Sequence, residues 1–210
     1  MIVVRTNHDP VTYCLYHWTK PLLDLAEKKR FDVVSIEGEQ VTGENIRSRV
    51  SKRNPGFFFF NGHGSVSSMY GNRSEEVIGL DDADIFTDRV VFARACDCLV
   101  KLGKEAVNKG CKSFIGYNKK FWILSLNEMA TRPLQDPLTK PIMENSNLVV
   151  EELIKGRTVK ESVDKGHEHA AKLILDLAFS DDPYKSPALA AIVNNDAALD
   201  YEGEASARIR

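Results

Sequence analysis

Apolar residues along this chain fall into short unbroken runs separated by longer amphipathic stretches. The runs are "IVVR" at residues 2–5, "FDVVSIE" at 31–37, "FFFF" at 57–60, "RVVFARA" at 89–95 and "CKSFIGY" at 111–117. Phe57 to Phe60 do not alternate with polar residues, so they do not describe a strand with one wet face. Bounded by Pro55-Gly56 and Asn61-Gly62, they predict a strand covered on both sides, as in a parallel sheet. Between the runs, "PLLDLAEKKR" sets Leu22, Leu25 and Ala26 at helical spacing. Thr42 predicts a cap for a helix through "GENIRSRVSKR", terminated by Pro55 and Gly56. "GLDDADIF" predicts a short helix, and "LVKLGKEAVNKG" an amphipathic one that Gly110 closes. The two prolines between residues 121 and 138 predict a covering loop or short helices. "NLVVEELIKG" and "TVKESVDKGHEHAAKLILDLAF" are helical patterns, "DDPYKSP" a loop, and "AIVNNDAALDYEG" closing strand material.

Strands alternating with helices at this interval imply right-handed crossovers. The expected fold class is α/β, a three-layer sandwich with a mostly parallel sheet flanked by helices on both faces. No repeat, low-complexity segment or linker interrupts the chain, so residues 1–210 read as one domain, long enough to bury its own core. With 28 Lys+Arg against 30 Asp+Glu, the formal charge of -2 suggests neither a nucleic-acid nor an anionic-membrane partner. Lys119-Lys120 reads as solvated surface. No apolar stretch approaches bilayer-spanning length, and the N-terminus lacks a signal-peptide pattern. Cys14, Cys96, Cys98 and Cys111 are too few for a disulfide framework. The expectation is a cytoplasmic protein with reduced thiols.

Two strand exits carry candidate chemistry. In open parallel sheets chemistry gathers at the carboxyl ends of the strands. The Phe57–Phe60 run empties into His63, framed by Gly62 and Gly64; the Val90–Ala93 run empties into Cys96. If those strands are parallel neighbours, imidazole and thiol sit at the same sheet edge within side-chain reach. That pair is the minimal unit of cysteine nucleophilic catalysis, because the base and its positive field favour thiolate. Backbone N–H groups of such loops can bind an oxyanion, and Gly64 has no side chain to obstruct it. Taken singly, each residue also has a plain reading: His63 as a polar turn residue, Cys96 as a small buried one.

The stretch "FFFFNGHGS" followed by "VVFARACDC" resembles the caspase-like cysteine peptidases, which include caspases, gingipains, legumain, separase and CHAT domains. The downstream "LGKEAVNKGCKSFIGYNKKF" is similar to the gingipain and CHAT branches. "LIKGRTVKESVDKG" and "ALDYEGEASARI" also resemble the CHAT pattern, so the likeness covers nearly the whole chain. It implies His63 as general base, Cys96 as nucleophile, and the backbone N–H groups of Gly64 and Cys96 as oxyanion hole. It further implies a pocket faced by Arg94, two residues before the nucleophile, and Arg5, at the end of "IVVR". Paired guanidinium hydrogen bonds there would favour an acidic substrate residue; the opposing reading has Arg94 in a structural salt bridge with Asp97 or Asp9. The family often carries a small pair after the nucleophile where this chain has Asp97-Cys98-Leu99, which leaves the adjoining pocket wall undetermined. Asn118, after the fifth strand, is expected on the same edge.

No metal and no cofactor is assigned. Cys96-x-Cys98 lacks a second pair at zinc spacing, and His167 and His169 stand two apart on a helix, facing different ways. The leading expectation is a cysteine endopeptidase acting on a protein or peptide, with the resemblance pointing to bacterial defence or signalling and a regulatory protein partner. The alternatives are a catalytically silent binding or scaffold protein of the same fold, and an acyl hydrolase using the same dyad.

Overall fold

The computed structural model describes residues 1–209. Six strands form the main sheet in the order β2-β1-β3-β6-β7-β8. They are β1 (Ile2–Arg5), β2 (Val34–Glu37), β3 (Phe57–Asn61), β6 (Val90–Arg94), β7 (Ser113–Tyr117) and β8 (Leu199–Gly203). The first five run parallel, and β8 lies antiparallel against β7 at the edge. A two-stranded hairpin, β4 (Met69–Tyr70) with β5 (Glu76–Ile78), stands apart from this sheet.

The four phenylalanines of β3 explain the layering. A strand sends successive side chains to opposite faces. Phe58 and Phe60 therefore enter one core with Ile46 and Val50 of α2 (Gly43–Arg53) and Ala106 of α3 (Lys104–Asn108). Phe57 and Phe59 enter the other, with Leu22 and Ala26 of α1 (Pro10–Lys28) and Val149 and Leu153 of α4 (Thr139–Ile154). All four rings are fully buried. Burying each contributes roughly 1.5–3 kcal/mol, and edge-on packing of Phe58 against Phe86 at 5.2 Å adds specificity. The expected sandwich with helices on both faces is what forms.

Several local expectations change. α1 starts eleven residues before the "PLLDLAEKKR" stretch, because Asp9 caps it in a reciprocal box with Thr12 and Pro10 sits in its first turn. α2 ends at Arg53 and is capped by Asn54, which takes the left-handed conformation just before Pro55. The amphipathic stretch after Cys98 begins as a π-helical turn, Leu99–Gly103, before α3. The helices α5 (Val159–Ala178) and α6 (Lys185–Ala198) follow α4. α6 overturns the reading of residues 191–198 as strand. Ala188, Ala191, Ile192, Asn195 and Ala198 are buried at helical spacing, and alanine carries the highest helix propensity. Only the last five residues of that stretch, Leu199–Gly203, extend into β8.

Candidate active site

The register of the two central strands sets the site. Asn61 of β3 stands opposite Arg94 of β6, so His63 and Cys96 each lie two residues past a paired position, on neighbouring parallel strands. On the other side of β3, Arg5 of β1 pairs with the same Asn61. The chain beyond β1 therefore reaches this edge as well, carrying His8 and Asp9. Thr6 fastens it there, its N–H donating to the Asn61 carbonyl at 3.1 Å.

Gly64 is locked against the Cys96 loop. A β-carbon on Gly64 would lie 2.5 Å from Cys98 Sγ, 2.8 Å from Ala95 Cβ and 3.0 Å from the Cys96 carbonyl oxygen. Only glycine permits that approach. The β4–β5 hairpin braces the other side, with the Tyr70 N–H donating to the His63 carbonyl at 3.1 Å and the Cys98 thiol facing the Ser68 carbonyl at 3.6 Å. Among the described residues, no hydrogen bond engages the backbone N–H of Gly64 or of Cys96.

The His63 imidazole meets Asp9, with Nε2 2.6 Å from Oδ2. Asp9 divides its carboxylate: Oδ1 accepts the Thr12 N–H at 2.8 Å as the cap of α1, and Oδ2 faces the imidazole. Burial alone would raise the Asp9 carboxyl, but the Thr12 N–H and the His63 contact outweigh it and hold it below the usual value. Residue spacing did not find Asp9 as a partner of His63, since 54 residues separate them. The available signal was "DPVT", a cap, proline and capping-box pattern directly after β1.

Cys96 is half-buried, while Cys14, Cys98 and Cys111 are buried. Its thiol faces the Phe121 carbonyl at 4.0 Å. Burial pushes the Cys96 thiol up; the Phe121 backbone and Lys120 oppose this, and the Asp97 carboxylate adds to it. Asp97 takes the left-handed backbone conformation at φ 59° and donates its N–H to the Lys119 carbonyl at 3.2 Å. That bond ties the Cys96 loop to the segment after β7. Asn118 is exposed at the end of β7, its backbone N–H bound to the Ala198 carbonyl at 2.8 Å. Asn195 of α6 pins the same segment, accepting from the Trp122 N–H and donating to the Trp122 carbonyl, both at 2.8 Å.

The two arginines do not line a pocket. Arg94 is wholly buried beneath the edge and donates to Ser146 Oγ at 2.8 Å, Asn147 Oδ1 at 2.7 Å and Asn61 Oδ1 at 3.2 Å. It lies over the rings of Phe59 and Phe92, and burial lowers its pKa to about 10. Its partners are neutral, so the salt bridge with Asp97 or Asp9 does not form either. The cause is strand alternation: Arg94 points to the α4 face, away from the loops. Arg5 is 6% exposed, paired with Glu37 and stacked 4.2 Å from the Tyr16 ring. Neither guanidinium can receive a substrate carboxylate. A cavity of about 370 Å³ opens beside Asp9, bounded by Asn7, Tyr13, Ser125, Met129 and Pro133.

No protein-family model and no curated protein matches the chain. Solved structures do. Gingipain R, described as an Arg-specific cysteine proteinase, matches with a TM-score of 0.66 at 13% identity, over 100% of this chain and 47% of that one. The complex of the Porphyromonas gingivalis RgpB pro- and mature domains matches with a TM-score of 0.62 at 12% identity, over 100% of this chain and 48% of that one. The chain thus spans about half the length of these relatives. At such identities the likeness is one of architecture: the mostly parallel sheet with helices around it is the caspase-like fold that these cysteine proteinases carry.

Proposed function

We propose that this chain is a cysteine endopeptidase of the gingipain and CHAT branch, with Cys96 as nucleophile and His63 as general base. The observation that carries the reading is the seating of the His63-Gly64 turn on the Ala95–Cys98 loop, at the ends of adjacent parallel strands. His63 takes the Cys96 proton, and the thiolate attacks the peptide carbonyl. The unengaged N–H groups of Gly64 and Cys96 stabilise the resulting oxyanion. The C–N bond breaks as the imidazolium protonates the leaving amine. Water, giving its proton to His63, then attacks the thioester, and the C–S bond breaks to release the acid. Asp9 orients the imidazole and balances its charge, a positioning role.

The resting site favours a latent enzyme. Burial beneath the Phe121 segment holds Cys96 as a thiol, with Asp97 raising it further. A protein partner that moves the segment after β7 would release it, and the match to a pro-domain complex supports partner control. Cytoplasmic defence or signalling in a bacterium fits such a switch. Among the described residues, no helix is long and apolar enough to cross a membrane.

Cleavage-site profiling on a proteome-derived peptide library tests the proposal, with Cys96→Ala as control. Cleavage that vanishes in Cys96→Ala supports it. Hydrolysis of simple thioesters or esters without peptide cleavage would favour the acyl hydrolase. Partner binding with no turnover would favour the scaffold.

A further inference from the structure

The peptidase reading leaves His8 unused. Its ring stands edge-on to that of His63, centroids 5.7 Å apart at 72°. Both its ring nitrogens are shielded from solvent, and neither finds a hydrogen-bond partner among the described residues. Its Nε2 comes within 3.4 Å of the same Asp9 Oδ2 that meets His63. One donor atom from each of His8, Asp9 and His63 therefore converges, all within 4.8 Å of one another.

We infer that His8, Asp9 and His63 form a binding site for one late first-row divalent cation, Zn²⁺ foremost, whose occupancy silences the site. The silencing half rests on the peptidase reading; the binding half does not. Two imidazoles and a carboxylate suit zinc rather than the oxygen-seeking calcium or magnesium. Bonds of roughly 2.0–2.1 Å in a tetrahedron place neighbouring donors about 3.3 Å apart. The His8–Asp9 separation already matches, and the His63–Asp9 pair needs to open by less than about 1 Å once a metal replaces the proton between them. Oδ1 stays on the Thr12 N–H, which fixes the carboxylate as an outer-sphere partner would. Three protein ligands leave a fourth position for water.

Occupancy disarms His63 for a defined reason. An imidazole that gives its Nε2 lone pair to the metal keeps its proton on Nδ1. It then has no free lone pair to accept the Cys96 proton. Asp9 is drawn away at the same moment.

The test uses chelator-treated full-length protein with Zn²⁺ in calorimetry and Co²⁺ as a visible-absorption probe. One equivalent of Zn²⁺ should bind, and Co²⁺ should give tetrahedral ligand-field bands without the thiolate charge-transfer band. His8→Ala and, separately, His63→Ala should weaken binding at least ~10-fold. Metal-free peptidase rates of His8→Ala should match the parent, while its half-inhibiting Zn²⁺ concentration rises by the same factor. Unchanged Zn²⁺ affinity in His8→Ala overturns the site, as does a thiolate band that disappears in Cys96→Ala. Should the chain prove not to be a peptidase, the calorimetric and Co²⁺ results still decide the site. Zn²⁺ binding that leaves peptidase activity intact overturns the silencing half alone.

Discussion

The imidazole of His63 and the carboxylate of Asp9 meet at 2.6 Å across 54 residues of sequence. An ionised carboxylate can only accept, so Nε2 carries the proton and Nδ1 is left as the basic nitrogen. The same carboxylate caps α1, which means that the helix start and the orientation of the His63 imidazole are set by one side chain. Under the proposed chemistry, removing the Asp9 side chain disturbs orientation and folding together, and only a replacement that keeps the capping oxygen separates them.

His63→Ala should therefore lose at least ~10²-fold in kcat/KM with its far-UV circular dichroism unchanged. Asp9→Asn keeps a capping oxygen but not the charge, and should lose at least ~10-fold, mostly in kcat, with a shifted pH profile. Near-normal turnover of folded His63→Ala would put the base elsewhere.

The Asp9 carboxyl also has a stability signature. Its folded pKa lies below the ordinary value near ~3.9, so its contribution is present above that value and disappears as pH falls through the folded one. The Tm advantage of the parent over Asp9→Asn should shrink as pH drops through and below the ordinary carboxylate range. A difference independent of pH would mean that the charge does not contribute.

Thiol reactivity should single out Cys96. Burial raises Cys14 and Cys111 to about 12, and Cys98 further, while Cys96 is half-buried. Limiting iodoacetamide followed by mass spectrometry should find the label on Cys96 first. Because the Cys96 thiol is itself raised, thiolate is scarce at neutral pH, and labelling should accelerate about tenfold per pH unit as pH rises. A flat rate between about pH 6 and 8, below the ordinary thiol value near ~8.5, would reveal a preformed thiolate pair.

Gly64→Ala should separate activity from stability. The added carbon would press on Cys98 Sγ and Ala95 Cβ, and the His63 turn must back away from the Cys96 loop. Displacements near ~1 Å cost about 10²-fold in well-oriented reactions. Far-UV circular dichroism should stay parental while peptide turnover collapses. Parental turnover would show that the seating of these loops is not functional.

Arg94 should report on folding, not on specificity. Arg94→Met fills much of the space but leaves Ser146, Asn61 and Asn147 without their donor, costing about 3 kcal/mol in denaturant unfolding. Its cleavage-site preference should equal the parent's. A changed preference with unchanged stability would restore the pocket role that its burial denies.

Local chemistry made much of this protein readable in one dimension. A run of four phenylalanines between turn signals demands apolar cover on both faces, and that demand specifies a central strand wherever the chain goes. The helix after Thr42 and the Gly110 stop follow from backbone hydrogen-bonding needs confined to a few residues. His63 and Cys96 were candidates because each leaves a buried strand, a relation that spacing preserves. What lay beyond reach depended on pairing between distant segments. The order of the strands brings Asp9 and His8 beside His63, and nothing in a 54-residue separation encodes that. Strand alternation turns Arg94 from the presumed pocket into the α4 core, since its direction depends on which side each helix packs. The fate of residues 191–198 was settled by Asn195 and its alanine neighbours finding a buried face. Interactions within a turn of chain are written in order; those between elements exist only once the sheet has assembled.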